Sequence, residues 1–140
     1  IDGRALVATA RRLLEAARAG DAALSLTIVG DSRIRALNRT YRGRDYATDV
    51  LSFPLDGATP PGADREHLLG DVVISVETAR RQAAEYGAPV QREIYRLLIH
   101  GILHLMGHDH EAPGERRMMR REERRLAAAI ALPWPYDRVG

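Results

Sequence analysis

Three histidines in the last third of the chain have the spacing of a metal site. His100 and His104 are four residues apart, and His110 follows after a glycine at position 107. Residues four apart lie on one face of an α-helix, so the first two imidazoles can meet at one ion. Gly107 can adopt a left-handed turn that returns His110 toward the same point. Three imidazoles leave one tetrahedral position for water, which predicts one catalytic zinc ion per chain.

The histidine spacing matches the H-x-x-x-H-x-x-G-x-x-H pattern of zinc peptidases, including its glycine. In those enzymes a glutamate follows the first histidine and acts as the general base. This chain has Gly101 at that position, which can neither take nor give a proton. The pattern therefore indicates a zinc hydrolase, and it favours hydrolysis of a bond other than the peptide bond. A zinc peptidase or amidase is the alternative.

His108 and Asp109 lie between the second and third predicted ligands. We expect His108 to be exposed or to contact a ligand rather than to bind the metal. Asp109 either orients a ligand imidazole through the free ring nitrogen or forms the turn, and the two interpretations carry equal weight.

Length and composition predict one compact domain over residues 1–140, since the chain is 45% hydrophobic. The chain has no cysteine, so a transition metal must be held by histidine and carboxylate. It also has no apolar run of about 18 residues, so we expect a soluble, cytoplasmic protein without a membrane partner. The sequence starts at Ile1 without a methionine, which is consistent with a trimmed N-terminus.

All of the positive charge counted on lysine and arginine side chains is arginine, since the chain has no lysine. The net charge of +2 is too small to indicate a nucleic-acid partner by itself. One cluster falls within a dozen residues and consists of Arg33, Arg35, Arg39, Arg42 and Arg44. Arginine is well suited to phosphate recognition, but it is abundant throughout this chain, so the cluster is equally consistent with a solvated surface.

Apolar periodicity predicts helices that alternate with short strands. Helices are expected over 5–17, 31–42, 77–86, 90–106 and 113–132, with Asp31 as the cap of the second. Strands are expected over 23–29, 50–53 and 71–76, and a loop rich in glycine and proline over 56–64. The helix over 90–106 is apolar around most of its circumference and should be central. This order predicts an α/β (α+β) fold, a small mixed β-sheet with helices packed around it.

Four segments of the chain resemble the YbeY endoribonucleases, also called the rRNA maturation factor family. They are LNRTYRG at 37–43, TDVLSFP at 48–54, LLGD at 68–71 and HGILHLMGHDH at 100–110. The resemblance covers nearly the whole chain, and the HGxLHLxGxDH form of the last segment is its most specific part.

The resemblance implies a zinc-dependent endoribonuclease that cuts single-stranded RNA. Its implied roles are rRNA maturation, at the 16S rRNA 3′ end, and ribosome quality control, with the ribosome or small ribosomal subunit as partner. It places the metal ligands on His100, His104 and His110, and an active-site arginine on Arg42. Members often begin with an additional strand that has no counterpart before Ile1, which fits a trimmed start.

The predicted chemistry combines zinc with the guanidinium of Arg42. Zinc activates water or polarises a phosphoryl oxygen, and the guanidinium can bind two phosphate oxygens. Without the resemblance, Arg42 is better interpreted as a cation at the C-terminal end of a helix. The nucleophile is either water or the RNA 2′-hydroxyl, which the product ends distinguish. A third functional class is a non-catalytic ribosome-assembly protein with a structural zinc.

Overall fold

The computed structural model describes residues 1–54, 68–109 and 111–136. Its helices are α1 (Gly3–Ala16), α2 (Asp31–Arg42), α3 (Val76–Glu85), α4 (Val90–Leu105) and α5 (Pro113–Ala129). Its strands are β1 (Ala23–Val29), β2 (Val50–Pro54) and β3 (Leu68–Ser75). The predicted order of elements is confirmed, and the predicted loop over 56–64 lies outside the described residues. Within these ranges no helix is long and apolar enough to cross a membrane.

The described strands form one mixed sheet in the order β1-β3-β2. The central strand β3 runs parallel to β1, with Val29 opposite Ser75, and antiparallel to β2, with Val50 opposite Ile74. The predicted small mixed sheet flanked by helices is therefore confirmed.

The strand β3 begins earlier than its apolar pattern predicts because of Gly70. This residue has a φ of 147°, and a Cβ there would lie 2.5 Å from the carbonyl oxygen of Phe53 on β2. Glycine therefore permits the close pairing that extends the strand back to Leu68. At the other end, the Ser75 hydroxyl accepts a hydrogen bond from the Thr78 N–H at 3.4 Å, so the helix α3 begins at once.

The helix α4 lies in the middle of the structure, as its sequence predicts. It packs on β2 and β3 and contacts α1, α3 and α5. Its fully buried apolar side chains are Ile94, Leu97, Leu98, Ile99, Ile102 and Leu103. On the opposite face of the sheet, Ile34 of α2 packs with Leu51 and Val73. The strand β3 is thus covered on both faces, and the position of α4 relative to the sheet is fixed by burial.

The expected helix cap at Asp31 is wrong, because Asp31 is the first residue of α2 and its side chain leaves the helix. Its N–H donates instead to the Glu77 carboxylate at 2.7 Å. Its own carboxylate accepts hydrogen bonds from the hydroxyls of Ser75 and Thr78, at 2.5 and 2.7 Å, and pairs with Arg81 at 2.9 Å. The Ser75 and Thr78 hydroxyls, followed by Arg81, lower the pKa of Asp31 below its ordinary value. These contacts fix the start of α2 against α3.

Candidate active site

His100 and His104 face each other across one turn of α4. Their Nε2 atoms are 3.0 Å apart and their ring centroids 4.5 Å apart, with both side chains half-buried. Two imidazole nitrogens that share a tetrahedral zinc at about 2.0 to 2.1 Å are about 3.3 Å from each other. The observed separation is close to that value, so the pair fits a shared ion.

The third predicted ligand, His110, lies outside the described residues. Across residues 1–54, 68–109 and 111–136, no group of three or more histidine, aspartate or glutamate side chains is arranged to hold a metal. The structure thus places two of the three predicted ligands and brings those two together.

A carboxylate from α5 contacts the histidine pair, although the sequence pattern does not single it out. Glu123 Oε2 lies 3.3 Å from His100 Nδ1, and the Glu123 side chain is only 13% exposed. An ionised carboxylate accepts hydrogen bonds, so this contact favours the tautomer with the proton on Nδ1, in which Nε2 is the nitrogen that faces His104. Position 123 follows the inward Met119 by four residues, which is the signal that could have identified it.

Arg42 is the last residue of α2, which ends where Gly43 adopts a left-handed conformation at a φ of 69°. The Arg42 Nη2 donates to the carbonyl oxygen of Ser52 on β2 at 2.6 Å, and its guanidinium carbon lies 5.8 Å from the centre of the Phe53 ring. The guanidinium is therefore bonded to the sheet and not to the carbonyls at the end of its own helix. This contact counts against the interpretation of Arg42 as a simple helix-end cation.

Ser52 connects the arginine to the histidine helix. Its hydroxyl donates to the carbonyl oxygen of Gly101 at 3.2 Å, one residue after His100. The side chain of Ser52 is buried, and its backbone carbonyl holds Arg42. The strand β2 thereby sets the position of the guanidinium relative to the imidazoles.

Arg42 and the two described histidines line adjoining cavities. A cleft of about 590 Å³ is lined by Asn38, Arg42, Arg44, Tyr46, Thr48, Val50, Leu51, His104, Gly107, His108, Asp109 and Glu111. A recess of about 280 Å³ is lined by Arg42, Val50, Leu51, Ser52, Pro54, His100 and His104. The structure therefore gathers these three side chains at one concave surface, and His108 and Asp109 are part of its wall.

Gly101 is required for packing of α4 on the sheet. A Cβ at this position would lie 2.8 Å from Val72 Cγ1 and 3.2 Å from Ser52 Oγ, both closer than ordinary contact. The position that carries the general base in zinc peptidases therefore faces the sheet in this protein. A glutamate there would be buried against an apolar side chain, which counts against the peptidase alternative.

A solved structure shares this fold. The solution structure of a protein from Thermotoga maritima matches 94% of this chain and 87% of its own length. The TM-score is 0.58 and the sequence identity is 26%. The small α+β fold is thus common to both proteins.

The family model described as Endoribonuclease YbeY matches residues 2–131. Relatives with that name are 52% identical over 129 residues in an Anaeromyxobacter strain, 49% over 138 in Moorella thermoacetica and 46% over 129 in Pelotomaculum thermopropionicum. The matches cover 92%, 89% and 91% of this chain, and 65%, 87% and 85% of the respective relatives. The chain belongs to the endoribonuclease YbeY family, as the four segments predict. It spans just under two thirds of the Anaeromyxobacter protein.

Proposed function

We propose that this protein is an endoribonuclease that cuts single-stranded RNA at the cleft between α2 and α4. Its proposed roles are rRNA maturation at the 16S rRNA 3′ end and ribosome quality control in the cytoplasm. The ribosome or its small subunit is the proposed partner. Family membership supports the class of reaction. The observation that carries the proposal is the histidine pair of α4, with Nε2 atoms 3.0 Å apart, lining one recess with Arg42.

We further propose that His100, His104 and His110 bind one zinc ion per chain. The close approach of the first two rings and the carboxylate on His100 support this assignment. When bound, zinc supplies Lewis-acid chemistry that polarises a phosphoryl oxygen or lowers the pKa of water. The histidines bind it as neutral imidazoles, and Glu123 holds the ring of His100 in the required orientation.

Arg42 contributes a positive charge that stabilises the negative charge on the reacting phosphate. A guanidinium has five N–H donors, and in the described part of the chain Arg42 uses one of them on Ser52. The others can form paired hydrogen bonds to two phosphate oxygens, which become more negative as the bond to the leaving oxygen breaks. Because the guanidinium is fixed to β2, little reorganisation is needed during the reaction.

The purified protein tests the proposed function directly. We expect about one zinc per chain by elemental analysis and cleavage of single-stranded RNA much faster than of a duplex of the same sequence. An unstructured protein should stay intact, because Gly101 supplies no base. Zinc-loaded protein that binds RNA without cutting it would instead support the ribosome-assembly class, and cleavage of the unstructured protein would revive the peptidase class.

Replacing Glu123 tests the proposed orientation of His100. Glu123→Ala should weaken zinc binding by about 10- to 100-fold, since the ring loses the acceptor that fixes it. Glu123→Gln should have a smaller effect, because its amide oxygen still accepts from Nδ1. The measurement is competition for zinc against a chelator at fixed pH.

The matched control for this experiment is Glu115→Gln, at an exposed glutamate in the first turn of the same helix. It should bind zinc as the wild type does, and circular dichroism should show equal folding of all variants. Equal zinc affinity of Glu123→Ala and the wild type would show that the 3.3 Å contact does not support the metal site.

A further inference from the structure

The exposed face of α5 is rich in arginine. Its exposed arginines are Arg116, Arg117, Arg120, Arg121, Arg124 and Arg125. An exposed charged face is ordinarily a solvated surface, and for most of these residues that is a sufficient account. Arg116 and Arg120 differ from the others because they share a pocket with His100.

This pocket also borders His100, but Arg42 is not among its lining residues. It has a volume of about 370 Å³ and is lined by His100, Arg116, Met119, Arg120 and Glu123. The α5 residues among them are spaced three and four apart, so they form one stripe that faces α4. His100 also lines the recess with Arg42, so it borders two concave surfaces that each carry arginine.

The outer edge of the α5 pocket is cationic, and its inner wall is not. Met119 is buried at 1% exposure, and the carboxylate of Glu123 contacts His100. Arg116 Nη2 lies 3.5 Å from the Glu111 carbonyl oxygen. Among the described residues, Arg120 has no hydrogen bond or ion pair, and its side chain is exposed. Its guanidinium is therefore available for a ligand beside His100.

We propose that the pocket on α5 is a second phosphate subsite, in which Arg120 binds the backbone of single-stranded RNA one or more nucleotides from the cut. The inference rests on the proposed endoribonuclease function. The strand would pass from Arg42 over the histidine pair to α5, so that one arginine contacts it in the recess and another in the α5 pocket. Arginine suits this role because its planar fork matches two phosphate oxygens. Recognition of the backbone alone carries no sequence preference.

Arg120→Ala and Arg121→Ala test this subsite as a matched pair. Both remove one exposed arginine from α5, but position 121 is about 100° further around the helix and does not line the pocket. The probe is a fluorescent single-stranded RNA of about ten nucleotides, with binding followed by anisotropy over a range of salt concentrations. We expect Arg120→Ala to weaken binding by about 3- to 10-fold at low salt, and Arg121→Ala by less than about 2-fold.

The salt dependence separates a direct phosphate contact from a general loss of charge. Arg120→Ala should reduce the slope of log affinity against log salt by about 0.7, the value for one phosphate contact with a single strand. In cleavage assays it should raise KM with kcat nearly unchanged, because the contact is made equally in ground and transition states. Equal slopes and affinities for the two variants would overturn the subsite.

Failure of the subsite and failure of the proposed function give different results. If the wild type cuts RNA and the two variants bind RNA alike, the α5 subsite is wrong and the endoribonuclease proposal stands. If the wild type binds RNA without cutting it and Arg120→Ala alone weakens binding with a lower slope, the subsite stands and the endoribonuclease proposal fails.

Discussion

His104→Ala is expected to reduce RNA cleavage by about 1,000-fold or more while the fold is retained. The substitution removes one of three proposed zinc ligands, and Lewis-acid stabilisation by a metal contributes about 4 kcal/mol to such reactions, which is about three powers of ten in rate. His104 is only half-buried and lies at the cleft, so its loss leaves little empty space in the core. The measurements are the initial rate on single-stranded RNA and the zinc content per chain.

His108→Ala is the control for zinc binding, since His108 lies in the same cleft wall without being a predicted ligand. It should keep about one zinc per chain, whereas His104→Ala should lose most of it. Circular dichroism should show that both variants are folded. If His104→Ala unfolds as it loses zinc, the metal is structural and the non-catalytic class gains support. If His104→Ala cleaves RNA at the wild-type rate, His104 takes no part in the reaction.

The order of helices and strands could be predicted because each element carries its own periodic pattern. The helix α4 is apolar over most of its surface, and the structure buries it centrally. The errors concern the cap of α2 and the first residue of β3, and contacts from elsewhere in the chain decide both. At the first residue of α2, the Asp31 N–H donates to the carboxylate of Glu77, which belongs to α3. The start of β3 depends on the close approach of Gly70 to Phe53 on β2. Neither contact has a local signal.

In the candidate site, too, local spacing predicts some features and tertiary packing determines the others. The approach of His100 and His104 follows from helical spacing alone, and the structure shows it. Glu123 reaches His100 from α5 by tertiary packing, so its spacing of four residues from Met119 is only a weak signal of this contact. The sequence alone shows that position 101, where zinc peptidases carry the general base, is a glycine. The structure shows in addition that the small size of Gly101 lets α4 pack on the sheet.

The interpretation of Arg42 depends on the family resemblance. From residue type and position alone, it is best interpreted as a cation at a helix end. The resemblance indicates an active-site residue instead, and its role stays a prediction. The structure supplies what the sequence could not, namely its bond to Ser52 and its place in the recess with the histidines. Those contacts make the role of Arg42 testable.

Arg42→Ala is expected to lower kcat for RNA cleavage by about 100- to 1,000-fold, the usual loss when one donor to a developing oxyanion is removed. Arg42→Lys should recover little of the rate, because an ammonium cannot form paired hydrogen bonds to phosphate. KM should change less than kcat, since the negative charge on the phosphate oxygens increases toward the transition state. The measurement is the full dependence of rate on RNA concentration, with a melting curve for each variant to detect effects of the lost bond to Ser52.

Arg39→Ala is the matched control, because Arg39 is in the same turn of α2 but does not line the cleft or the recess. Its guanidinium is exposed and lies 4.0 Å from Asp45, so its loss should change the stability little, as for other exposed ion pairs. The cleavage rate should stay close to that of the wild type, because Arg39 lines neither cavity. If Arg42→Ala and Arg39→Ala cleave RNA at similar rates, Arg42 is only a link between α2 and β2. A large loss confined to Arg42, with an unchanged melting temperature, would separate charge stabilisation from packing, because only the former acts on the reacting phosphate.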